Sequence, residues 1–399
     1  MAVNLVTVKM IAVFVGPVGM GLLGHFMSLA TMVSVFAGGG IANGITKYVA
    51  EFRSQPRVMA KFIGAATVYG LVFSAIVLFV CAFLANPISR LLFGSSHYAW
   101  LVFCVGAAHL LCFIGTAVVA IANGLRRPDI FAGVTAVGYL GSLPIVYLLI
   151  TSFGLEGAAL SLLLVTCCTG VPAIWMVKRS RLTRLIKLSI DRANALRLGR
   201  FSMMLLASAT LFPLAEIILR TRITSALGYE VAGVWQAMIR LSGAYLGFFA
   251  VFLATSYMPK LSSAFERADI IRLVLRYFVV ILVVFALFAL LTYLLRSFVI
   301  RLLFSADFDR MADFIGLQLI GDLFRLCSYV IGFLAVAKAA TKIYIFAEFI
   351  QAGLYVGLSI VAISYGGALT EITQAYVLTY FLYLCMSIVG FVIYTRCNS

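Results

Sequence analysis

The sequence predicts an all-α polytopic membrane protein with about twelve transmembrane helices. Of its 399 residues, 64% are hydrophobic, and the mean hydropathy is +1.12. The apolar residues run in continuous blocks, such as 62–82 and 277–295, whereas a soluble helix carries them as a stripe on one face. About twenty apolar residues in a helix span the hydrocarbon core of a bilayer, and a helix pairs its own backbone polar groups there.

The apolar segments define the predicted order of the helices. They cover roughly residues 1–15, 20–46, 62–84, 100–122, 131–150, 157–177, 201–220, 234–257, 275–295, 313–337, 344–364 and 371–394. The first is too short for a full crossing, because Gly16 and Pro17 follow it and Lys9 interrupts it. Two interpretations stay open, a half-span or a helix that begins upstream of Met1. This segment continues into the next without a small-residue cleavage site, so no cleavable signal peptide is expected.

The basic residues predict which helix ends face the cytoplasm. The net charge is +16, and most lysines and arginines fall in the connections that follow even-numbered segments. Cytoplasmic connections of membrane proteins collect Lys and Arg, which places these connections and both termini in the cytoplasm. The charge is thereby explained without nucleic acid, which is not expected as a partner. The most basic connection, 178–200, is either a topology signal alone or also contacts the head groups of membrane lipids.

An internal duplication divides the chain into two lobes. Three matches share nearly the same offset: 90–93 with 301–304 (211 residues), 120–122 with 335–337 (215 residues), and Gly16 and Gly21 with Gly228 and Gly233 (212 residues). Each half holds an even number of helices, so both halves cross the membrane in the same direction as a parallel repeat. We predict a six-helix N-terminal lobe over 1–177, a basic cytoplasmic linker over 178–200 and a six-helix C-terminal lobe over 201–399.

Charged residues remain inside the predicted spans or near their ends. A charge at the bilayer centre costs about 3 kcal/mol, so such side chains face the protein interior or a water-filled cavity. The set consists of Lys9, Lys47, Glu216, Arg220, Arg222, Arg240, Asp313, Asp322, Arg325, Lys338 and Glu348.

Two interpretations of these charges compete. Glu216 with Arg220 and Asp322 with Arg325 have the spacing of local pairs on one helix face. Lys47 and Arg222 could instead extend to the membrane surface. Arg240 lies deeper in its span. After these residues are counted, more positive than negative charge remains inside the spans. Because the guanidinium fork matches phosphate oxygens, this excess suits a phosphate-bearing ligand.

The remaining polar residues predict contacts to sugar hydroxyls or packing bonds between helices. They are His25, Asn43, Gln236, Gln318 and Tyr329, and Tyr245 belongs with them. The cysteines and histidines show no metal-ligand spacing, so no metal or other cofactor is expected. No catalytic residues are predicted, because no ATPase motif occurs and the external connections are short.

Five groups of residues resemble one family of membrane proteins. They are Gly16-Pro17 with Gly19 and Gly21; Asn43-Gly44 with 46–50; 234–236; Gln318-Leu319 with Gly321-Asp322; and 337–339 with Tyr344 and Ala347-Glu348. Together they resemble the Wzx family of polysaccharide flippases, in the multidrug/oligosaccharidyl-lipid/polysaccharide exporter superfamily. The chain departs from this family in its shorter first helix, which puts the role of Lys9 in doubt.

The resemblance implies a MATE-like, V-shaped pair of lobes with a cationic lumen. It also implies an undecaprenyl-diphosphate-linked glycan as substrate, either lipid III of enterobacterial common antigen or an O-antigen repeat unit. The glycan would move from the cytoplasmic to the periplasmic leaflet of the inner membrane. A polysaccharide polymerase and a chain-length regulator are the implied protein partners. Family motif and membrane charge coincide at Lys47, Arg220, Asp322 and Lys338.

The expected mechanism is alternating access in a cationic cavity. The residues expected to bind the diphosphate are Lys47, Arg220, Arg222, Arg240, Arg325 and Lys338. Glu216, Asp322 and Glu348 are expected to couple transport to protons or sodium, because a buried acid titrates when its partner leaves. Three rivals stay open: a cation-coupled multidrug antiporter on the same fold, a flippase for the peptidoglycan precursor, and a membrane glycosyltransferase or polymerase.

Overall fold

The computed structural model describes residues 2–36, 40–179, 192–264, 266–338 and 340–397, which are helical and contain no β-strand. The helices of the first half are α1 (Ala2–Phe36), α2 (Ala42–Glu51), α3 (Pro56–Phe83), α4 (Ala85–Phe93), α5 (Ala99–Gly124), α6 (Pro128–Cys167) and α7 (Gly170–Arg179). Those of the second half are α8 (Arg192–Phe252), a π-helical turn (Leu253–Tyr257), α9 (Met258–Ser263), α10 (Arg267–Leu294), α11 (Arg296–Leu303), a 3-10 helix (Ala306–Asp313), α12 (Ile315–Ala337), α13 (Thr341–Ser364) and α14 (Leu369–Cys397).

Nine helical stretches of the described chain are long and apolar enough to cross a membrane. Two of them, Pro128–Arg179 and Thr210–Ser263, contain 52 and 54 residues. At a rise of about 1.5 Å per residue, each is more than twice as long as the hydrocarbon core of about 30 Å. The predicted all-α multi-pass membrane fold is therefore confirmed. The number of crossings and the side of each terminus stay predictions.

Three long helices are broken at single glycines. The backbone angles are φ 68° and ψ −174° at Gly16 in α1, φ 53° and ψ −123° at Gly154 in α6, and φ 87° and ψ 171° at Gly228 in α8. A side chain would clash with the backbone in these conformations, so glycine is the residue that permits the breaks. Gly16 and Gly228 are also one of the matched pairs of the predicted duplication.

Two short helices, α4 and α11, lie where the sequence predicted only connections. The repeated sequence RLLF ends α4 and runs across the end of α11, at 90–93 and 301–304. The buried residues are Ser89 and Leu92 in α4 and Ile300 in α11. A search for long apolar blocks misses such helices, because they contain 9 and 8 residues and are too short to span a bilayer.

Contacts between Cα atoms divide the chain into two compact units. The first unit holds residues 2–15 and 22–217, and the second holds 16–21 and the chain from 218 onward. The predicted linker over 178–200 stays a prediction, and residues 180–191 of it lie outside the described residues.

The core of the first unit is built around α5. This helix packs against α2, α3, α6 and α7, and glycines allow the close approach. A Cβ at Gly106 would lie 2.6 Å from the Cys81 Cβ and 3.2 Å from the Leu78 Cα on α3. Such distances are far below van der Waals contact, so the position requires glycine in this packing.

Aromatic side chains connect several helices in the core of the second unit. The rings of Tyr355, Tyr376 and Tyr380 join α13 to α14, with centroid distances of 5.4 Å and 4.7 Å along the series. The Tyr245 ring lies 5.7 Å from that of Phe285, which links α8 to α10. Aromatic pairs in these arrangements stabilise a core beyond their burial of apolar area.

Glycines also bring residues 16–21 against α8 within the second unit. A Cβ at Gly21 would lie 2.3 Å from the backbone oxygen of Tyr229, and one at Gly233 would lie 1.8 Å from that of Pro17. The two segments are equivalent in the predicted repeat, so each supplies the glycine against which the other packs.

The outer face of α10 carries exposed apolar side chains. Val283, Leu287 and Leu290 are spaced along one face of the helix and are exposed. An exposed apolar face of this length is costly in water and favourable against lipid tails.

An exposed ion pair joins α11 to the 3-10 helix in the connection between α10 and α12. Arg301 donates from Nε to Asp309 Oδ1 over 3.1 Å and from Nη2 to Oδ2 over 2.7 Å. This bidentate hydrogen bonding lowers the pKa of the Asp309 carboxyl below its ordinary value. The pair is exposed, so it directs the path of the connection and adds little stability.

Replacing Gly106 by valine is expected to destabilise the first unit, because the new side chain would overlap α3. Overpacking of this kind costs about 1–3 kcal/mol. Thermal unfolding of the detergent-purified protein would measure the loss. Gly141→Val is the matched control, since a Cβ at Gly141 meets no atom within 4 Å. Equal melting temperatures for the two variants would contradict the packing described for α3 and α5.

Candidate functional site

The centre of the candidate site is the carboxylate of Asp322 on α12, which is fully buried in the second unit. The Ser242 hydroxyl on α8 donates to Oδ2 over 2.6 Å, and the Tyr376 hydroxyl on α14 donates to Oδ1 over 2.5 Å. The Tyr245 hydroxyl on α8 also donates to Oδ2. Three hydroxyl donors compensate the carboxylate for the water it has lost.

Gln318, one turn before Asp322 on α12, orients the first of these donors. Its Nε2 donates to the Ser242 oxygen over 2.9 Å. Because that bond occupies a lone pair of Ser242, the serine proton points toward the carboxylate. The chain of donors therefore runs from Gln318 through Ser242 to Asp322.

Arg325 is enclosed by tyrosines on the same side of α12, with 9% of its surface exposed. Its Nε donates to the Tyr329 hydroxyl over 2.9 Å, and its Nη1 donates to the Tyr376 hydroxyl over 3.3 Å. The guanidinium lies 5.0 Å from the centre of the Tyr380 ring, a cation–π distance. Tyr376 thus contacts both Arg325 and Asp322, and one hydroxyl connects the two opposite charges.

A second polar cluster forms where α8 is broken at Gly228. Arg220 is fully buried, and its Nη2 donates to Gln236 Oε1 over 2.5 Å. Its guanidinium also lies 5.4 Å from the centre of the Trp235 ring. Residues sixteen apart in a straight helix would be separated by about 24 Å. The break at Gly228 therefore brings Gln236 and Trp235 back to Arg220.

The predicted acid Glu216 precedes Arg220 by one turn of α8 but belongs to the first unit. It is buried there, and the Ser28 hydroxyl of α1 donates to its Oε2 over 3.1 Å. His25 is also buried in the first unit and lies one turn before Ser28 on α1. The sequence predicted Glu216 as a candidate for ion coupling and gave no role to Ser28.

The other predicted basic residues are distributed among different surroundings. Arg222 is exposed and Arg240 is half-buried on α8. Lys47 is exposed on α2, with its ammonium 5.3 Å from the centre of the Tyr48 ring. Lys338 is half-buried at the end of α12 and donates to the backbone oxygen of Ala264 over 2.6 Å. A cation is favourable at that end of a helix.

Two further predicted residues complete the description. Glu348 is half-buried on α13 and shares a hydrogen bond with Tyr344. Tyr329 is half-buried beside Arg325. The side chain of Asn43 lies outside the described residues.

The sequence predicted only part of the network around Asp322. Gln318, Asp322, Arg325 and Tyr329 were predicted site residues, and α12 presents them together. Sequence reasoning missed Ser242 and the tyrosines of α14. A signal for the latter existed in the spacing of Tyr376, Tyr380 and Tyr383, which repeat along one helix face in an otherwise apolar segment.

The structure offers no assembled metal site within the described residues, where no group of three or more His, Cys, Asp or Glu side chains is found. The Sγ atoms of Cys112 and Cys167 lie 2.9 Å apart in the core of the first unit, and both side chains are buried. They belong to the apolar packing between α5 and α6.

Comparison with known proteins identifies relatives along nearly the whole chain. The model of the polysaccharide biosynthesis protein family matches residues 1–265. The chain is 34% identical to the lipid III flippase of Escherichia coli (strain K12) over 390 residues, which are 97% of this chain and 94% of that protein. The lipid III flippase of Shigella flexneri matches equally well.

Solved structures of multidrug transporters share the fold. An inward-facing MATE transporter of the MOP superfamily superposes with a TM-score of 0.87 at 13% identity, covering 99% of this chain and 94% of that chain. A Vibrio cholerae MATE transporter superposes with a TM-score of 0.61 at 18% identity, covering 99% and 93%. These structures confirm the predicted fold, and the family model and the flippase relatives confirm the family resemblance predicted from the sequence.

Arg325→Ala is expected to lower the melting temperature, because it leaves the buried carboxylate of Asp322 without its neighbouring cation. The hydroxyls of Tyr329 and Tyr376 would also lose the guanidinium that donates to them, and loss of a charged partner in a buried hydrogen-bond network costs about 1.5–3 kcal/mol. The double variant Asp322→Asn/Arg325→Gln removes both charges and is expected to recover much of the loss. Thermal unfolding in detergent would measure both, with Arg272→Ala, an exposed arginine of α10, as the control. Unchanged melting of Arg325→Ala would contradict this account.

Proposed function

Because the chain belongs to the polysaccharide biosynthesis protein family, we propose that it is a flippase for an undecaprenyl-diphosphate-linked oligosaccharide. The glycan moves from the cytoplasmic to the periplasmic leaflet of the inner membrane. The observation that carries this proposal is the 34% identity to a lipid III flippase over 97% of the chain. Lipid III of enterobacterial common antigen is therefore the favoured substrate, and an O-antigen repeat unit is the alternative within the same class.

The charged residues support a substrate that carries a diphosphate. Arginines inside a membrane protein are costly, and the guanidinium fork is suited to phosphate oxygens. In the second unit, Arg222 is exposed and is therefore accessible to a diphosphate, and Arg240 is half-buried and partly accessible. Arg220 and Arg325 are buried with hydrogen-bond partners, so they contribute only if those partners exchange during transport. Lys47 and Lys338 bind the diphosphate at the cytoplasmic end of the transport path.

Amide and hydroxyl groups near these arginines are suited to sugars. Gln236 holds Arg220, and Gln318 holds Ser242. Each amide has further donor or acceptor capacity that a sugar hydroxyl could use. Tyr329, His25 and Asn43 complete the proposed polar set.

Transport by alternating access requires a step that returns the protein to its starting conformation after the substrate has left. Asp322 is the strongest candidate for coupling to an ion, because its carboxylate is buried and held by hydroxyl donors from two other helices. Glu216 and Glu348 are the further candidates. Protons and sodium both remain open as the coupling ion.

Two other functions are less well supported. A multidrug antiporter is suggested by the fold of the solved neighbours, but their identity of 13–18% to this chain is far below that of the flippases. The curated relatives carry the name of a transporter, so we propose that the chain is not an enzyme. A polysaccharide polymerase and a chain-length regulator are proposed as partners downstream, since a flipped repeat unit must be polymerised.

Expression of this chain is expected to restore surface polysaccharide in an Escherichia coli strain that lacks its lipid III flippase. The native flippase and an empty vector are the positive and negative controls. A second strain that lacks an O-antigen flippase separates the two substrates. Absence of polymer in both strains, with well-expressed and inserted protein, would contradict the proposed substrate class.

Arg240→Gln and Arg222→Gln are each expected to lower transport, because each removes a cation accessible to the diphosphate. A hydrogen bond to a charged group contributes about 1.5–3 kcal/mol, so a loss of about tenfold or more is expected. The rate of glycan appearance in the periplasmic leaflet would measure it. Arg272→Gln is the matched control, since Arg272 is exposed and pairs with Asp269 within α10. Normal transport by both variants would move the diphosphate site elsewhere.

A further inference from the structure

Tyr376 lies between the two opposite charges of α12 and contacts both. We propose that Tyr376 is a positioning residue that couples the protonation of Asp322 to the binding of an anionic ligand by Arg325. This inference rests on the proposed function, because Arg325 is one of the arginines offered to the diphosphate. It adds a residue from α14 for which the sequence predicted no role.

The direction of the hydrogen bonds follows from the donor count. A tyrosine hydroxyl has one proton to donate and can also accept. The Tyr376 proton is used toward Asp322 Oδ1 over 2.5 Å, and its oxygen accepts from Arg325 Nη1 over 3.3 Å. While Asp322 is ionised, the hydroxyl is therefore aligned so that it ties the guanidinium to the carboxylate.

The two carboxylate oxygens are not equivalent. Oδ2 accepts from both Ser242 and Tyr245, whereas Tyr376 is the one donor to Oδ1 among the described residues. Gln318 holds Ser242 in its donating orientation. A proton taken up from water consequently adds to Oδ1, where it meets one donor instead of two.

Protonation at Oδ1 reverses one hydrogen bond. The new carboxylic O–H donates to Tyr376, and the tyrosine proton must turn away from Asp322. The tyrosine oxygen then accepts from Asp322 and no longer aligns its dipole toward Arg325, while the carboxylate charge that held the guanidinium is gone. Contacts of Arg325 with Tyr329 and Tyr380 persist, so the side chain stays in place but gains the capacity to bind an anion.

Several titratable groups surround Asp322, and Tyr376 differs from the others in bonding to both Asp322 and Arg325. The titratable or charged groups around Asp322 are Tyr245 on α8, Arg325 and Tyr329 on α12, Tyr344, Glu348 and Tyr355 on α13, and Tyr376, Tyr380 and Tyr383 on α14. From α10, the aromatic neighbours of Tyr245 are Phe285 and Phe288, which do not titrate. Within this group Arg325 carries the positive charge, and Tyr376 is the hydroxyl that bonds to it and to Asp322.

The consequence is that a proton and a diphosphate favour each other's binding. Such coupling is reciprocal and commonly changes an affinity about fivefold or more. Purified protein in detergent should bind undecaprenyl diphosphate more tightly at about pH 5.5 than at about pH 8, by at least about that factor. Tyr376→Phe removes the hydroxyl and should remove the part of this pH dependence that comes from the protein, leaving only the part due to ionisation of the terminal phosphate of the ligand.

Matched variants separate this role from a loss of packing. Tyr257→Phe removes another buried hydroxyl of the second unit, which donates to the Val330 backbone oxygen over 3.2 Å, and it should keep the pH dependence of the wild type. Asp322→Asn is permanently neutral and should show only the pH dependence that comes from ionisation of the diphosphate itself, whose terminal phosphate titrates at about pH 6. If Tyr376→Phe does not fold, the pH dependence of binding by Asp322→Asn still tests the inference. Retention of the full wild-type pH dependence by Tyr376→Phe or by Asp322→Asn would overturn the inference while leaving the proposed function intact.

Melting temperatures, measured without ligand, separate the proposed diphosphate site from the proposed coupling between Tyr376 and Asp322. If the wild type does not bind undecaprenyl diphosphate at either pH, the proposed diphosphate site fails. The coupling can then be measured from the melting temperatures of Tyr376→Phe, Asp322→Asn and the double variant. A departure from additivity of about 2 °C or more would support the connection between the two residues, and additive effects would refute it.

Discussion

A charge held inside a helix bundle must be surrounded by polar partners, and Asp322 and Arg325 impose this requirement on the second unit. The carboxylate takes donors from α8 and α14, and the guanidinium takes tyrosines from α12 and α14. A shift of one helix by a single residue, about 1.5 Å along its axis, would withdraw a donor. The charges therefore determine the register of three helices, although a buried charge pair adds little net stability by itself.

The same constraint applies to the backbone. An interrupted helix leaves donors and acceptors unsatisfied, which is costly in hydrocarbon, so breaks belong at the ends of membrane spans. Gly154 and Gly228 interrupt stretches that are each long enough to cross a bilayer twice. The break at Gly228 also creates the contact between Arg220 and Gln236. Backbone geometry and the placement of charge are thus linked through one glycine.

The predictable part of the site follows from spacing along single helices. Gln318, Asp322 and Arg325 share a face of α12 because they are separated by three or four residues. Ser242 and Tyr376 are 80 and 54 residues away from Asp322, and no local pattern marks them as its partners. The bond of Lys338 to the Ala264 backbone oxygen was equally beyond local reasoning, because it depends on where α9 ends.

The sequence by itself determined that this is a multi-pass helical membrane protein of a polysaccharide-exporting family with positive charge inside its spans. These properties are local, since block length, residue type and helical spacing are all readable along one segment. Only the tertiary structure decided which charges are buried, which are exposed and which hydroxyls serve them. The reason is physical: solvation of a charge in a membrane protein depends on neighbours from other helices, and their identity emerges only when the helices pack.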